Sequence, residues 1–244
     1  MPLSSTLLEQ FMNTFYGYGN YDGRMWFIGM EEGGGNSLEE INRRLNVWEL
    51  GGRRELEDAA EFHFGIGMPR FFSPGAPLQP TWNRLIRIFL SSQGKTPTTE
   101  MVRKYQIYKM GRTGGNTCVV ELLPLPSPST GHWLYEQVED LPYLNSREAY
   151  REAILPRRIR HLQLRIRVHK PPVVIFYSFS YQQHWQVIVN GEFTWDSDLE
   201  IFTVKKDGTL FVITKHPVAR GLNNDYFHRI GKYIVYSDHG ISTL

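Results

Sequence analysis

Apolar residues along the chain follow two spacings, one typical of buried strands and one typical of helices. Short apolar runs predict buried strands at 25–28, 117–120, Val173–Tyr177 and 210–213. Apolar residues spaced three and four apart predict helices between these strands. The predicted helices carry Leu7, Leu8, Phe11 and Phe15 (ending near Gly17 and Gly19), cover 53–64 and 97–110, carry Trp82 to Phe89 with an end at Gly94, carry Trp185 and Ile188, and cover 226–233.

Two further helices have recognisable signals at their ends or in their interior. Ser37 followed by Glu40 is a capping-box pattern, which predicts a helix that begins there and runs toward Leu50. A long helical pattern begins at Ser146, and we expect Pro156 to break or kink it.

Near the end of the chain, Asp207-Gly208 lies between the apolar runs 201–204 and 210–213. This dipeptide is typical of a two-residue hairpin turn. Elsewhere, predicted strands alternate with predicted helices, which indicates an α/β fold. We therefore predict three α/β/α layers around a mostly parallel central sheet. No internal repeat or low-complexity linker divides the chain, so we expect 1–244 to form a single domain.

Composition and charge narrow the class of protein further. The 244 residues include 33 aromatic side chains among Phe, Tyr and Trp, and mixed charges with a net value of +2, which excludes neither nucleic acid nor a small anion as a partner. A single cysteine, Cys118, excludes an intrachain disulfide framework and a Cys-based metal site. No signal-peptide core and no membrane-length apolar run is present, so we expect a soluble, cytoplasmic protein that needs no membrane.

Ligands of open α/β sheets bind where the carboxyl ends of parallel strands open into loops. Three such loops carry side chains that can take part in catalysis or ligand binding. The first is 29–33, with Gly29, Met30, Glu31, Glu32 and Gly33; the second is expected to begin at Glu121; the third is 214–220, with His216.

Each of these side chains has a structural and a functional interpretation. Glu31 or Glu32 can cap the following helix, or orient a water molecule for attack. Glu121, surrounded by apolar sequence, can form a structural ion pair or accept hydrogen bonds from a ligand. His216 can be a packed histidine, or a site residue at the end of a buried strand.

Taken together, these segments resemble the uracil-DNA glycosylase superfamily, and in particular its single-strand-selective branch. The segment 27–33 (FIGMEEG) is similar to the family's first motif, GMNPG or GQDPY after a hydrophobic strand. The segment 119–125 (VVELLPL) is similar to the middle strand NxxPL, and His216-Pro217 is similar to the last motif, HPSP. The three segments follow the family's order across about residues 15–235.

The resemblance implies a monofunctional DNA glycosylase that flips a nucleotide out of single- or double-stranded DNA and hydrolyses its N-glycosidic bond, with no metal, cofactor or obligatory protein partner. Glu31 then occupies the position of the water-positioning Asp or Asn, and His216 stabilises the departing base. Glu121, Gly29 and Met30 contact the base. Arg220, with Ser127 and Ser129 of the proline-rich loop, contacts DNA.

Departures from the family pattern bear on which base is removed. Glu121 stands where the family has an asparagine that recognises uracil, and a carboxylate suits a base with an amino group. The cluster 33–35 (GGG) leaves room for a substituent on the base. The leading expectation is therefore a 5-modified cytosine, hydroxymethylated or glucosylated, with a role in defence against phage DNA.

Three alternatives remain open at the level of sequence. They are a non-catalytic member of the same fold that binds DNA or a nucleotide, a uracil-type repair glycosylase, and a hydrolase of free nucleosides. Arginines and one lysine between 157 and 170 are expected to form a solvated helix face, with a DNA contact as the minor alternative. Most of Phe62, Phe64, Phe71 and Phe72 are expected to lie in the core, and any one of them is a candidate to stack on a flipped base.

Overall fold

The computed structural model describes residues 3–129 and 131–235. Its strands are β1 (Gly17–Gly19), β2 (Met25–Glu31), β3 (Leu56–Glu57), β4 (Thr117–Leu123), β5 (Val173–Tyr177), β6 (Thr194–Asp196), β7 (Ile201–Lys206) and β8 (Thr209–Thr214). Its helices are α1 (Ser5–Thr14), α2 (Leu38–Leu50), α3 (Ala59–Gly65), α4 (Pro80–Ser91), α5 (Thr99–Tyr108), α6 (Arg147–His169), α7 (Gln182–Val189) and α8 (Asn224–Ile234).

The strands form one eight-stranded sheet in the order β3-β1-β4-β2-β5-β8-β7-β6. The central strands β4, β2, β5 and β8 are parallel, as predicted. The sheet as a whole is mixed, because β1 pairs with β4, and β7 with β8 and β6, in antiparallel fashion. The prediction of a mostly parallel sheet thus holds for the four central strands and for the β1–β3 pair, and the antiparallel pairs join β1 and the hairpin to that centre.

Helices cover both faces of the sheet, which confirms the three-layer α/β/α architecture. Alternate side chains of β2 point to opposite faces: Trp26 and Ile28 pack in the core with α1, α2, α3, α6 and α7, whereas Met25 and Phe27 pack with α4, α5 and α8. The central strands are buried on both faces, which explains their continuous apolar runs.

The order of the parallel strands determines where a crevice can form. β2, the first of them along the chain, lies between β4 and β5. The chain therefore passes from β2 to β4 on one side and then crosses to β5 on the other side. A crevice opens outside the carboxyl ends of the strands at such a switch point.

Gly17 and Gly19 belong to strand β1 and do not end helix α1 as expected. The reason is a close approach of the backbone to β4. A Cβ on Gly17, which has φ +146°, would lie 2.1 Å from the carbonyl oxygen of Val119. Only glycine allows this pairing, so these glycines serve the contact with β4 and not the end of a helix.

The predicted helix over 53–64 is wrong in its first half. Residues Leu56–Glu57 form the edge strand β3, and the helix begins only after Asp58. The Asp58 carboxylate accepts hydrogen bonds from the backbone N–H groups of Ala60 and Glu61, so it caps α3 at this point.

Helix α6 continues through Pro156, contrary to the predicted break. Pro156 lies on the exposed side, where water can bind the carbonyl that loses its helical partner, while Ile154 and Leu162 remain packed in the core. No helix in the described ranges 3–129 and 131–235 is long and apolar enough to cross a membrane.

The basic stretch of α6 is not uniformly solvated. Arg157, Arg160, Arg167 and Lys170 are exposed, as expected. Arg158, in contrast, is fully buried, and it donates hydrogen bonds to backbone carbonyls that include that of Glu121 at 2.8 Å. The side chain of this arginine therefore links α6 to β4 through hydrogen bonds and stabilises the fold.

Candidate active site

A cavity of about 700 Å³ opens at the carboxyl ends of the parallel strands. Segments following β2, β4, β5 and β8 form one part of its lining, and the segment between α3 and α4 forms the opposite wall. The lining includes Tyr18, Met30, Glu31, Glu32, Gly33, Arg44, His63, Met68, Arg70, Phe71, Phe72, Gln79, Trp82, Glu121, Ser127, Ser129, Tyr177, Tyr181, His216 and Val218.

Most of the site residues predicted from the sequence meet in this cavity. Those that line it are Met30, Glu31, Glu121, Ser127, Ser129 and His216. Glu121 lies within β4 and not at the start of a loop, which corrects its predicted placement. Gly29 lies within β2 beneath the side chains that line the cavity, and Arg220 is exposed outside the lining.

Glu31 ends β2 and is held by Arg147, the first residue of α6. The Arg147 Nη1 lies 2.8 Å from Oε1 and 2.5 Å from Oε2 of Glu31. Burial raises the pKa of Glu31, and the Arg147 guanidinium opposes that shift. The carboxylate is therefore fixed in direction, with 16% of its side chain exposed.

The other end of the Arg147 guanidinium organises the loop after β4. Its Nη2 donates to the Ser127 hydroxyl at 2.6 Å and to the carbonyls of Ser129 and His132 at 3.0 and 2.9 Å. The Ser127 hydroxyl is thus buried and engaged within the protein, whereas Ser129 lies exposed at the rim. Of the two serines expected to contact DNA, Ser129 is the accessible one.

Glu32 belongs to a separate, fully connected polar cluster at the back of the cavity. Its carboxylate accepts hydrogen bonds from Tyr18 at 2.9 Å and Arg44 at 3.2 Å, and His63 lies 3.7 Å away. Burial raises its pKa, but Arg44, His63 and Tyr18 outweigh that effect and lower the pKa to about 2. Such a carboxylate stays ionised and is a weak base.

Glu121 faces a different environment. Tyr177, at the end of β5, donates a hydrogen bond of 2.6 Å to Oε1, and Oε2 is buried with no partner among the described residues. Burial is the main cause that raises the pKa of Glu121 to about 8, and the charges of Glu32 and Glu31 add to it. The raised pKa favours the neutral acid at neutral pH, and a neutral acid can donate a hydrogen bond as well as accept one.

The contact between Tyr177 and Glu121 spans the strand that lies between them. Gly29 is paired with Glu121 across β2 and β4, and a Cβ on Gly29 would lie 2.1 Å from the Tyr177 hydroxyl and 2.4 Å from Glu121 Oε2. The glycine therefore leaves room for two side chains of neighbouring strands.

His216 follows β8 and lies beside Tyr177, with ring centroids 5.9 Å apart. Burial lowers the pKa of His216, which favours the neutral imidazole. The backbone N–H of Val218 donates to Nδ1 at 3.4 Å. With Nδ1 as acceptor, the neutral ring carries its proton on Nε2.

Aromatic side chains form the wall opposite the acids. Phe72 packs against His63 and Trp82, with ring centroids 5.1 and 5.6 Å apart. Phe71 and Phe72 both line the cavity, whereas Phe62 is buried beside it and Phe64 is exposed outside the lining. Of the four phenylalanines considered for stacking, Phe71 and Phe72 are therefore in position.

Gln106 of α5 holds this wall from behind. Its amide Nε2 donates to the carbonyls of Phe71 and Pro77 at 2.9 and 3.0 Å, and its Oε1 accepts from the backbone N–H of Gln79 at 2.8 Å. A fully buried glutamine with all three bonds made thus helps to hold this loop in place.

The glycine cluster 33–35 has two distinct roles. Gly33 lines the cavity, and a Cβ there would meet nothing within 4 Å. Gly34 and Gly35 have positive φ and pack closely, with a Cβ 2.7 Å from Arg44 Nη2 and 2.5 Å from the Pro126 carbonyl oxygen. Only Gly33 thus contributes open space, and the expectation for the other two is corrected.

Several important side chains of the site were not found from the sequence. Arg147, Tyr177, Arg44 and His63 come from helices or strand ends without a motif. Tyr177 had the one usable signal, because it ends a predicted parallel strand. Within the described part of the chain, no group of three or more His, Cys, Asp or Glu side chains is arranged to hold a metal ion.

Comparison with known proteins adds no family assignment. No protein-family model matches the chain, and no curated protein matches it.

Proposed function

We propose that the protein is a DNA glycosylase that hydrolyses the N-glycosidic bond of a nucleotide flipped into this cavity, with a 5-modified cytosine as the leading substrate. The observation that carries the proposal is the convergence of Glu31, Glu121 and His216, from the ends of three parallel strands, on one cavity. The resemblance of their segments to the uracil-DNA glycosylase superfamily supports the same reaction.

Hydrolysis requires a water oriented toward C1′ and a stabilised leaving base. Glu31 is the residue for the water, because its direction is fixed by Arg147 and burial raises its pKa. The water oxygen bonds to C1′ and gives a proton to the Glu31 carboxylate as the bond from C1′ to the base nitrogen breaks, and Glu31 later passes this proton to solvent. The carboxylate also favours the positive charge that develops on the sugar.

His216 is the residue for the leaving base. A neutral imidazole with its proton on Nε2 can donate a hydrogen bond to the base as negative charge develops there. The lowered pKa and the Val218 N–H bond to Nδ1 support this form of the ring. Solvent supplies the proton that finally neutralises the released base.

Glu121 is the residue that recognises the base. As a neutral acid it offers one donor and one acceptor, which match the N3 acceptor and the N4 amino donor of cytosine. The open space beside Gly33 and the cavity volume of about 700 Å³ support a base with a 5-substituent.

A second candidate is excision of uracil, and it is favoured by the same raised pKa of Glu121. A neutral acid can donate to O4 and accept from N3–H of uracil, so repulsion at O4 does not reject this base below about pH 8. The cavity would then distinguish the two bases by the size of the 5-substituent, and not by hydrogen bonding to Glu121.

The proposal is tested by base release from oligonucleotides that contain uracil, cytosine, 5-hydroxymethylcytosine or its glucosylated form, measured by mass spectrometry. We expect release of a 5-modified cytosine, and a loss of at least about 100-fold in rate in Glu31→Gln and His216→Ala. Glu39→Gln, an exposed acid of α2, is the matched control. Release of uracil alone would select the second candidate, and DNA binding without release of any base would indicate a non-catalytic binding protein.

A further inference from the structure

Arg70 differs from the other basic residues that line the cavity. Arg44 is paired with Glu32 and Glu40, and His63 lies beside Glu32. Arg70 is exposed at the rim and has no hydrogen bond or ion pair to any other described residue. Its guanidinium carbon lies 5.5 Å from the centroid of the Phe71 ring.

The interior of the cavity is unsuited to a phosphate group. Glu31 and Glu32 are carboxylates there, and the guanidinium groups of Arg147 and Arg44 are already used by them. A nucleotide whose base enters between these groups must keep its phosphates outside, because like charges in a confined site repel strongly. The rim is where a phosphate would remain, and Arg70 supplies an unpaired positive charge there.

The backbone that carries Arg70 is held in place before any ligand binds. It forms a 3-10 turn, Pro69–Phe71, in which the N–H of Phe72 donates to the Pro69 carbonyl at 2.9 Å. Gln106 binds the Phe71 carbonyl from behind at 2.9 Å. A fixed turn with a free guanidinium loses little conformational entropy in the backbone when it binds an anion.

We propose that Arg70 binds a phosphodiester phosphate next to the nucleotide whose base occupies the cavity, so that the substrate is a nucleotide within a DNA strand. This inference rests on the proposed function, because it takes the occupant of the cavity to be a nucleobase. Arginine suits such a contact, since its planar fork matches two phosphate oxygens and it remains charged at all relevant pH values.

The test measures binding of a single-stranded oligonucleotide that carries a tetrahydrofuran abasic analogue, at several salt concentrations, for the full-length protein and for Arg70→Ala and Arg70→Lys. We expect Arg70→Ala to weaken binding roughly tenfold at low salt. The slope of log affinity against log salt should fall by about 1, and Arg70→Lys should largely keep it. Arg229→Ala, which removes the same charge from α8, should change neither.

The outcomes separate this inference from the proposed reaction. An unchanged salt slope in Arg70→Ala, with base release by the unmodified protein, would overturn the phosphate contact and leave the glycosylase proposal standing. A salt slope that depends on Arg70, without release of any base by the unmodified protein, would support the phosphate contact and overturn the glycosylase proposal. A nucleoside monophosphate can also bind more tightly than its nucleoside through Arg70. If that gain in affinity equals the Arg70-dependent gain for the oligonucleotide, the ligand is a free nucleotide, and the proposal of a DNA strand as substrate is overturned. Absence of DNA binding by the unmodified protein would overturn both proposals.

Discussion

Tyr177 donates a hydrogen bond of 2.6 Å to Glu121 across a strand that lies between them, and Gly29 of that strand has no side chain to obstruct it. This arrangement places a buried acid at the switch point of the sheet with one oxygen bound and the other unpartnered. The absence of a side chain at Gly29 allows the hydrogen bond, and the hydrogen bond affects the protonation of Glu121. The protonation state in turn determines which ligand groups Glu121 can bind.

Gly29→Ala should separate this pair. The added Cβ would lie 2.1 Å from the Tyr177 hydroxyl, so we expect a loss of about 1–3 kcal/mol in the free energy of unfolding, typical of overpacking. Urea denaturation checks the result. Gly114→Ala is the matched control, because a Cβ there meets nothing within 4 Å. Equal stability of the two variants would contradict the close approach at Gly29.

Glu121 should make stability depend on pH in a direction opposite to that of an ordinary surface acid. Its pKa is about 8 in the folded protein and near 4.5 when unfolded, so the folded state binds more protons between these values. Stability from this group is complete below about pH 4.5 and is lost as pH rises through about 8, at about 1.4 kcal/mol per unit of pKa shift.

Urea denaturation between pH 5 and pH 9 should therefore show a fall in stability that is reduced in Glu121→Gln. Glu192→Gln, at an exposed position, should behave like the unmodified protein. The cavity also contains Glu32, whose lowered pKa gives a contribution that is lost only toward pH 2. A pH dependence that is identical in Glu121→Gln and the unmodified protein would refute the raised pKa.

Tyr177→Phe should move the same titration upward. The hydroxyl donates to the charged form of Glu121 and so lowers its pKa, and removal of the hydroxyl should raise the pKa above about 8. We expect the alkaline limb of the pH profile for DNA binding to shift to higher pH. Tyr181→Phe, which also changes a tyrosine of the cavity lining, is the control. A shift to lower pH would contradict the hydrogen bond as described.

The sequence predicts the position of a site residue when that residue lies on a predictable strand. It does not predict a contact that depends on how a distant helix docks. Glu31, Glu121 and His216 lie at or near the carboxyl ends of predictable strands, so their meeting at one edge follows from the parallel arrangement. Arg147 comes from a helix more than 100 residues beyond Glu31, and nothing local marks it as a partner. Its contact depends on how α6 docks, which periodicity does not specify.

The fold shows the same division. The central strands and most helices follow from apolar spacing, and the hairpin follows from Asp207-Gly208, which adopt positive φ as a two-residue turn requires. Strands β1 and β3 are too short to give a period. β1 forms because it pairs with β4, and β3 forms because it pairs with β1. Pro156 does not break α6, because the packing of the helix on both sides of it outweighs one lost hydrogen bond.

Arg147→Lys should impair hydrolysis more than binding. Lysine keeps one charge but cannot hold Glu31, Ser127 and the carbonyls of the adjoining loop together as the guanidinium does. We expect kcat to fall by about 100-fold through misorientation of Glu31, with DNA affinity nearly unchanged. Single-turnover kinetics and a binding titration check this.

Two further variants of α6 separate the effect of an arginine on the orientation of Glu31 from the effect of its charge on the pKa of Glu31. Arg151→Lys lies one turn along α6, affects Glu31 only through its charge, and should be nearly silent. Arg147→Ala removes the charge that lowers the pKa of Glu31, so the acid limb of its rate profile should move to higher pH. A normal kcat in Arg147→Lys would show that Glu31 does not need this arginine for its orientation.

The most direct test of the account is base release from an oligonucleotide with 5-hydroxymethylcytosine or its glucosylated form, compared between the unmodified protein and Glu31→Gln. We predict that the unmodified protein releases the modified base and leaves an abasic site, and that Glu31→Gln binds the same DNA without releasing it. Undiminished release by Glu31→Gln, or no release of any base by the unmodified protein, would contradict the assignment of this cavity as a glycosylase active site.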